Sequence, residues 1–93
     1  MKEQRIQKQI LDYLNMNGCF CFKTIACNRS GIPDIIALYE GKFIAIEVKT
    51  DKGKISKLQE YNLDIIKDKG GYATVVYSVQ EAKEFFKIIL AHS

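Results

Sequence analysis

Residues 31–49 read GIPDIIALYEGKFIAIEVK, and the two apolar runs in this segment organise the rest of the chain. Their Ile, Ala and Val content predicts two largely buried strands, Asp34–Tyr39 and Phe43–Lys49. Only Glu40-Gly41 and one lysine separate the runs, which is typical of a tight hairpin turn. We therefore predict two adjacent antiparallel strands at the centre of the fold.

The register of this hairpin brings acidic residues together. A two-residue turn pairs Tyr39 with Lys42, and the same register sets Asp34 opposite Glu47; a three-residue turn would shift the register by one residue. Facing side chains have Cβ atoms ~4.5–5.5 Å apart. Lys49 lies two residues after Glu47 and points to the same face. In strands this apolar, two adjacent carboxylates are costly unless a cation lies between them.

Carboxylate oxygens at this position favour a hard cation. Mg²⁺ or Mn²⁺ binds one or two carboxylates and keeps its waters for a substrate phosphate. An ion held by Asp34 and Glu47 would lower the pKa of a bound water and polarise a phosphoryl oxygen. Lys49 would orient that water or stabilise the charge that develops on phosphate. Zinc is disfavoured because the cysteines are distant in sequence and the only histidine is His92.

The flanking segments predict two helices and a further strand. Apolar residues at helical spacing indicate a first helix from Glu3 to about Met16, ended by Asn17-Gly18. Residues 19–26 (CFCFKTIA) are typical of a strand. Ser56-Lys57-Leu58-Gln59 fits a capping box, which opens a second helix that ends at Gly70-Gly71.

The C-terminal part completes an α/β fold. Tyr72–Tyr77 is a predicted fourth strand, and a second capping box at Ser78–Glu81 opens the last helix. We expect a right-handed crossover from the third strand to the fourth, with these two strands parallel. We predict a single domain over residues 1–93, with the order α-β-β-β-α-β-α and a mixed four-stranded sheet flanked by helices on both faces.

Composition excludes several classes of protein. A chain of 93 residues with 47% hydrophobic and 27% charged residues is typical of a globular domain, not of a disordered one. No run approaches the ~20 apolar residues of a membrane span, and no signal peptide is visible. Three cysteines are an odd number and too few for a small domain held together by disulfides, so we expect reduced thiols and a cytoplasmic protein. We expect no membrane partner. The net charge of +3 is compatible with a nucleic-acid partner.

The motifs together resemble those of the VRR-NUC nucleases. The resemblance rests on Gly31-Ile32-Pro33-Asp34, on Glu47-Val48-Lys49, and on Gly53-Lys54-Ile55-Ser56 followed by Gln59. It extends from Glu3 to about Ser78. That family belongs to the PD-(D/E)XK superfamily, so the resemblance implies a restriction-endonuclease-like core and a metal-dependent nuclease.

The resemblance also assigns roles to individual residues. It makes Asp34 and Glu47 metal ligands, with the Val48 carbonyl as a third ligand. Lys49 corresponds to the catalytic lysine of the family. Mg²⁺ is the implied cofactor, and Mn²⁺ is expected to substitute for it.

Two further matches lie on the predicted helices. Gln59 matches a glutamine that the family places near the site, and it is also the capping partner of Ser56, so both roles can hold. Glu3 matches a first-helix glutamate that completes the acidic cluster in many relatives. Here Glu3 opens the helix, where helical turns fray.

Polar residues around the predicted site are candidate contacts to DNA, with a solvated surface as the alternative. They are Arg29, Lys52, Lys54, Ser56 and Lys57. Five of the aromatic residues are predicted to lie in the core instead of serving as platforms for base stacking. They are Tyr13, Phe20, Phe22, Phe85 and Phe86.

We expect a Mg²⁺-dependent, structure-selective DNA endonuclease, because a domain this small has little surface for sequence readout. The resemblance adds that stand-alone relatives look like Holliday-junction resolvases of replication or repair, and it suggests a phage origin and a host-cytoplasmic location. Resolution needs two cuts, so a C₂ homodimer is expected, with the apolar last helix as a candidate interface. The alternatives are a catalytically inactive nucleic-acid-binding module and an oligomeric interaction subunit.

Overall fold

The computed structural model describes residues 2–51 and 53–92, and its elements follow the predicted order. They are helix α1 (Glu3–Met16), strands β1 (Phe20–Lys23), β2 (Ile35–Tyr39) and β3 (Lys42–Val48), helix α2 (Lys57–Asp68), strand β4 (Tyr72–Val76) and helix α3 (Val79–Ala91). β1 is shorter than the predicted strand over residues 19–26. The pairing ends at Thr24, whose amide donates to the Asp34 carbonyl, because the loop that precedes Asp34 is bound to α2 through Ser30 and Gly31.

The four strands form one mixed sheet in the order β1-β2-β3-β4. β1 and β3 are both antiparallel to β2, and β3 is parallel to β4, as predicted. Tyr39 pairs with Lys42 and Ile35 with Ile46, so the two-residue turn is confirmed. Glu40 and Gly41 both have positive φ, at 47° and 80°, which a type I′ hairpin turn requires.

Helices cover both faces of the sheet, but unequally. On one face, α1 and α3 bury the main core, whose largest members include Ile10, Leu14 and Phe86. On the other face, α2 packs over β4, where Leu63 joins a small second core with Ala45 and Ala73. Within the described residues, the main helix contact of the α2 face is therefore with β4, and β1 and much of β2 are left uncovered.

This unequal cover contradicts the prediction that Phe20 and Phe22 are core residues. Both point to the α2 face from β1, and they are 71% and 47% exposed. Leu38 and Phe43 on the same face are 47% and 44% exposed. We refer to Phe20, Phe22, Leu38 and Phe43 as the open face. Phe86 is buried in the core, as predicted, with Tyr13 and Phe85 packed partly buried against it.

Of the two predicted capping boxes, the one at α2 is complete and the one at α3 differs in one hydrogen bond. Ser56 and Gln59 form the complete capping box of α2. At α3, Ser78 accepts a hydrogen bond from the Glu81 amide, but the Glu81 carboxylate accepts from the Tyr77 amide instead of the Ser78 amide. β4 ends at Val76, which leaves the Tyr77 amide without a ladder partner. In the described ranges, no helix is both long enough and apolar enough to cross a membrane.

Candidate active site

Asp34 and Glu47 lie side by side at one end of the central hairpin. Asp34 directly precedes β2, which begins one residue later than the predicted strand, and its Oδ2 accepts a hydrogen bond from the Val48 amide at 2.9 Å. Because Ile35 pairs with Ile46, the next position of the register brings Asp34 to Glu47. The two-residue turn therefore places both carboxylates together, although the sequence alone left a one-residue shift open.

Glu47 is a buried carboxylate with one unsatisfied oxygen. The residue is 3% exposed. Its Oε1 has no hydrogen-bond partner in the part of the chain that the structure describes. Burial and, second, the charge of Asp34 raise the pKa of Glu47 to about 7, while Lys49 acts to lower it. A buried acceptor without a partner is destabilising, and a hard cation would satisfy it.

Lys49 lies on the same side of β3 as Glu47. Its Nζ is 3.4 Å from Glu47 Oε2, and its side chain is mostly buried. The backbone amide of Lys49 donates to the Val76 carbonyl at 3.0 Å, so the parallel pairing with β4 continues one residue past β3. This pairing fixes the backbone from which the lysine reaches the carboxylate.

Gln59 caps α2 and also contacts the buried glutamate. Its Oε1 accepts from the Ser56 amide at 2.8 Å, and its Nε2 donates to Glu47 Oε2 at 3.2 Å. The Ser56 hydroxyl in turn accepts from the Gln59 amide. The capping box therefore orients the glutamine side chain towards the buried glutamate.

The loop before Asp34 needs a glycine at position 31. The φ of Gly31 is +74°, and a Cβ there would lie 2.8 Å from Leu58 Cγ and 3.0 Å from Asn62 Nδ2. The loop thus passes too close to α2 for any side chain at this position. The first residue of the Gly31–Asp34 motif serves the approach of the loop to the helix.

Two residues that hold this loop were not predicted from the sequence. Thr24 Oγ1 donates to the Pro33 carbonyl at 2.7 Å. Asn62 is 3% exposed, and its Nδ2 donates to the Ser30 and Gly31 carbonyls. Asn62 could have been found as a polar residue four positions after Leu58 in the apolar stripe of α2, but Thr24 lies in an apolar, β-branched run that gives no such signal.

The remaining candidates from the sequence are Glu3, Arg29 and the residues around the start of α2. The described residues contain no group of three or more His, Cys, Asp or Glu side chains that could hold a metal, so Glu3 does not join the pair. Arg29 is exposed, and it lines with Asp34 a shallow polar depression of about 170 Å³. Lys54 and Lys57 are exposed near the start of α2, and Lys52 lies outside the described residues.

The donor set fits a hard divalent cation. Two carboxylates from adjacent strands, one with an unsatisfied buried oxygen, match the ligands that Mg²⁺ and Mn²⁺ prefer. Lys49 and Gln59 bind the other oxygen of Glu47 and hold its carboxylate in place. A cation, a lysine and an open depression at one sheet end are the components that phosphodiester hydrolysis needs.

Comparison with known proteins agrees with this geometry. A solved VRR-NUC domain is 25% identical, with a TM-score of 0.79 over 91% of this chain and 94% of that one. Hjc, a Holliday junction resolvase of Archaeoglobus fulgidus, is also 25% identical, with a TM-score of 0.62 over 81% of this chain and 67% of its own. No curated protein is significantly similar. The VRR-NUC domain model matches residues 1–80, which include the whole carboxylate site, and the chain therefore belongs to the VRR-NUC domain family.

Proposed function

We propose that this protein is a Mg²⁺-dependent DNA endonuclease that acts on branched DNA. Membership of the VRR-NUC family supports a nuclease. The observation that carries the metal dependence is the buried Glu47 beside Asp34, with its Oε1 unsatisfied among the described residues. The similarity to Hjc, which resolves Holliday junctions, supports a branched substrate.

The proposed ligands are the carboxylates of Asp34 and Glu47 and the carbonyl of Val48. The bound cation, Mg²⁺ or Mn²⁺, supplies charge that polarises the phosphate and acidifies water. Lys49 pairs with Glu47 Oε2, and with a cation bound its ammonium would be placed to orient the attacking water or to stabilise the charge on the phosphate. Gln59 holds Glu47 Oε2 throughout.

The proposed DNA contacts are to phosphates and not to base edges. The longest dimension of the described molecule is 31 Å, which is shorter than one turn of duplex DNA at ~34 Å. The exposed candidates for phosphate contact are Arg29, Lys54, Ser56 and Lys57. Lys52 stays a prediction. So small a surface supports selection by DNA shape.

Two cuts on two strands require two sites, so we propose a homodimer. The α3 stripe is a poor interface, since Ala82, Phe86 and Ile89 are buried in the protein's own core. The open face is the better candidate. At ~200 Å² per side chain, its exposed fractions amount to roughly 400 Å², about half of the ~800 Å² that each partner contributes to a standard interface.

The open face and the carboxylates lie on the same face of the sheet, side by side. Leu38, in the outermost row of the open face, lies four residues along β2 from Asp34, which is about 13 Å at ~3.3 Å per residue. In a dimer formed through the open face, two active sites would flank a shared apolar contact. This arrangement suits a substrate with two symmetric strands.

Cleavage of labelled single strands, duplexes, flaps and four-way junctions tests the proposal. We expect Mg²⁺ to support paired cuts in the junction, and EDTA to abolish them. Glu47→Gln and Lys49→Ala should both lose most cleavage, whereas Glu60→Gln, an exposed change on α2, should not. No cleavage of any substrate with Mg²⁺ or Mn²⁺, together with junction binding in Ca²⁺, would favour the inactive DNA-binding alternative.

A further inference from the structure

One buried amide fastens the loop before Asp34 to α2. Asn62 Nδ2 donates to the Ser30 carbonyl at 2.8 Å and to the Gly31 carbonyl at 2.9 Å. Its Oδ1 accepts from Arg29 Nε at 3.1 Å. A buried amide is costly unless its hydrogen bonds are made, and the partners here are three consecutive residues of one loop.

The hydrogen bond to Asn62 restrains the Arg29 guanidinium through its Nε. Only Nε is used, since the terminal nitrogens make no hydrogen bond or ion pair within residues 2–51 and 53–92. The residue is exposed, and it shares with Asp34 the polar depression that Thr24 and Ile32 also line. Two parallel N–H donors held in a plane are the geometry that binds a phosphate bidentately.

We propose that Asn62 is a positioning residue that holds Arg29 beside Asp34, where the guanidinium binds a phosphate of the DNA strand at the site. This inference rests on the proposed nuclease function. An amide suits the role, because it accepts from Nε without neutralising the positive charge. A carboxylate at position 62 would pair with the guanidinium and compete with the phosphate.

Nuclear magnetic resonance of the arginine Nε–H groups tests the positioning directly. The chain has only two arginines, Arg5 and Arg29, so Arg5 is an internal control on the exposed side of α1. In the wild type we expect the Arg29 Nε proton to exchange with water at least about tenfold more slowly than that of Arg5. Asn62→Ala should remove this protection. Equal exchange of both protons in the wild type would contradict the proposal. This measurement uses the wild type alone and does not depend on whether any variant folds.

A double-mutant cycle tests whether Asn62 acts through Arg29. The readout is the Kd for a four-way junction in Ca²⁺, which permits binding without turnover. Arg29→Ala and Asn62→Ala should each raise the Kd about tenfold, and the double variant should bind no more weakly than Arg29→Ala. Lys57→Ala is the matched control, because its effect should multiply with that of Asn62→Ala.

The other outcomes separate this inference from the proposed function. The rise in Tm on adding Mg²⁺ should persist in Asn62→Ala. If that rise is lost and the cycle is multiplicative, Asn62 acts by holding Asp34 and the inference is wrong. A wild type that cuts the junction but gives a multiplicative cycle contradicts the inference alone, whereas a wild type that cuts no DNA contradicts the proposed function.

Discussion

At the scale of single residues, the chemistry is concentrated on Glu47. Its carboxylate is buried and lies next to Asp34, so a negative charge there is disfavoured in the metal-free protein. A divalent cation held at the proposed site would reverse this preference, because it would bind only the ionised form of the ligand. Metal binding, protonation and folding would then be linked at one side chain.

The raised pKa of Glu47 predicts how the stability of the metal-free protein depends on pH. The pKa is about 7 in the folded protein and about 4.5 in an unperturbed glutamate. The contribution to stability is fully present below pH about 4.5 and is lost as the pH rises through about 7. Between pH about 4.5 and pH 8, the unfolding free energy of the wild type in EDTA should fall by at most about 3 kcal/mol more than that of Glu47→Gln. Urea denaturation at several pH values measures both free energies. If they change in parallel across this window, the raised pKa of Glu47 is contradicted.

The repulsion between Asp34 and Glu47 predicts that Asp34→Asn stabilises the metal-free protein. The new amide oxygen can still accept from the Val48 amide, while the like charge is removed. Mg²⁺ at ~10 times its Kd should stabilise the wild type by about 1.4 kcal/mol. At ~4–8 °C per kcal/mol this raises the Tm by roughly 6–11 °C, and Asp34→Asn should show little of the rise. If Mg²⁺ lifts both proteins equally in a thermal melt, Asp34 is a structural residue and not a ligand.

At the scale of elements, α2 aligns the two halves of the site. Gln59 and Asn62 are three residues apart and so lie on one side of the helix. The first binds Glu47 on β3, and the second binds the loop that leads to Asp34. A displacement of α2 would therefore move both carboxylates, which links the packing of this helix to the geometry of the site.

The close approach of the loop to α2 predicts a specific cost for Gly31→Ala. The variant has a strained φ of +74° and a Cβ that meets Leu58 and Asn62. Gly41→Ala is a matched control, because its φ is +80° but a Cβ there has nothing within 4 Å. Backbone strain costs each variant about 1 kcal/mol, and the clash should add ~1–3 kcal/mol to Gly31→Ala alone. Equal losses in urea denaturation would show that the loop is not constrained by α2.

At the scale of the whole molecule, the uneven cover of the sheet leaves four large apolar side chains exposed. An apolar patch of this size on a small domain usually marks a binding surface. The patch lies on the same sheet face as the carboxylates and extends from them towards the hairpin turn. This position is the structural basis of the homodimer proposal.

A charge on the open face should separate the dimer. Phe20→Glu places a carboxylate on a side chain that is 71% exposed, so the monomer fold should be little affected. In sedimentation at micromolar concentration the wild type should be a dimer and Phe20→Glu a monomer, and junction cuts should become single nicks. Ile88→Glu, at a 56% exposed position on α3, should remain a dimer. A monomeric wild type, or dissociation by Ile88→Glu instead, would exclude the open face as the interface.

The sequence by itself determined the parts of this protein that depend on neighbouring residues. A two-residue turn at Glu40-Gly41 predicted Asp34 beside Glu47, and the observed register is the one that this turn gives. The capping box at Ser56 likewise predicted the start of α2 and the orientation of Gln59. Turn conformation, strand alternation and helix capping are local, so they can be read from a few adjacent residues.

Only the tertiary structure decided what covers each surface. An aromatic strand segment such as Phe20–Phe22 shows that a sheet face is apolar, but not that α2 packs over β4 and leaves it open. The bonds from Asn62 to the loop, and the absence of Glu3 from the carboxylate pair among the described residues, arise in the same way. These features depend on the lateral placement of helices across about 30 or more residues of chain. Hydrophobic pattern does not fix that placement, because many helix positions bury similar apolar area.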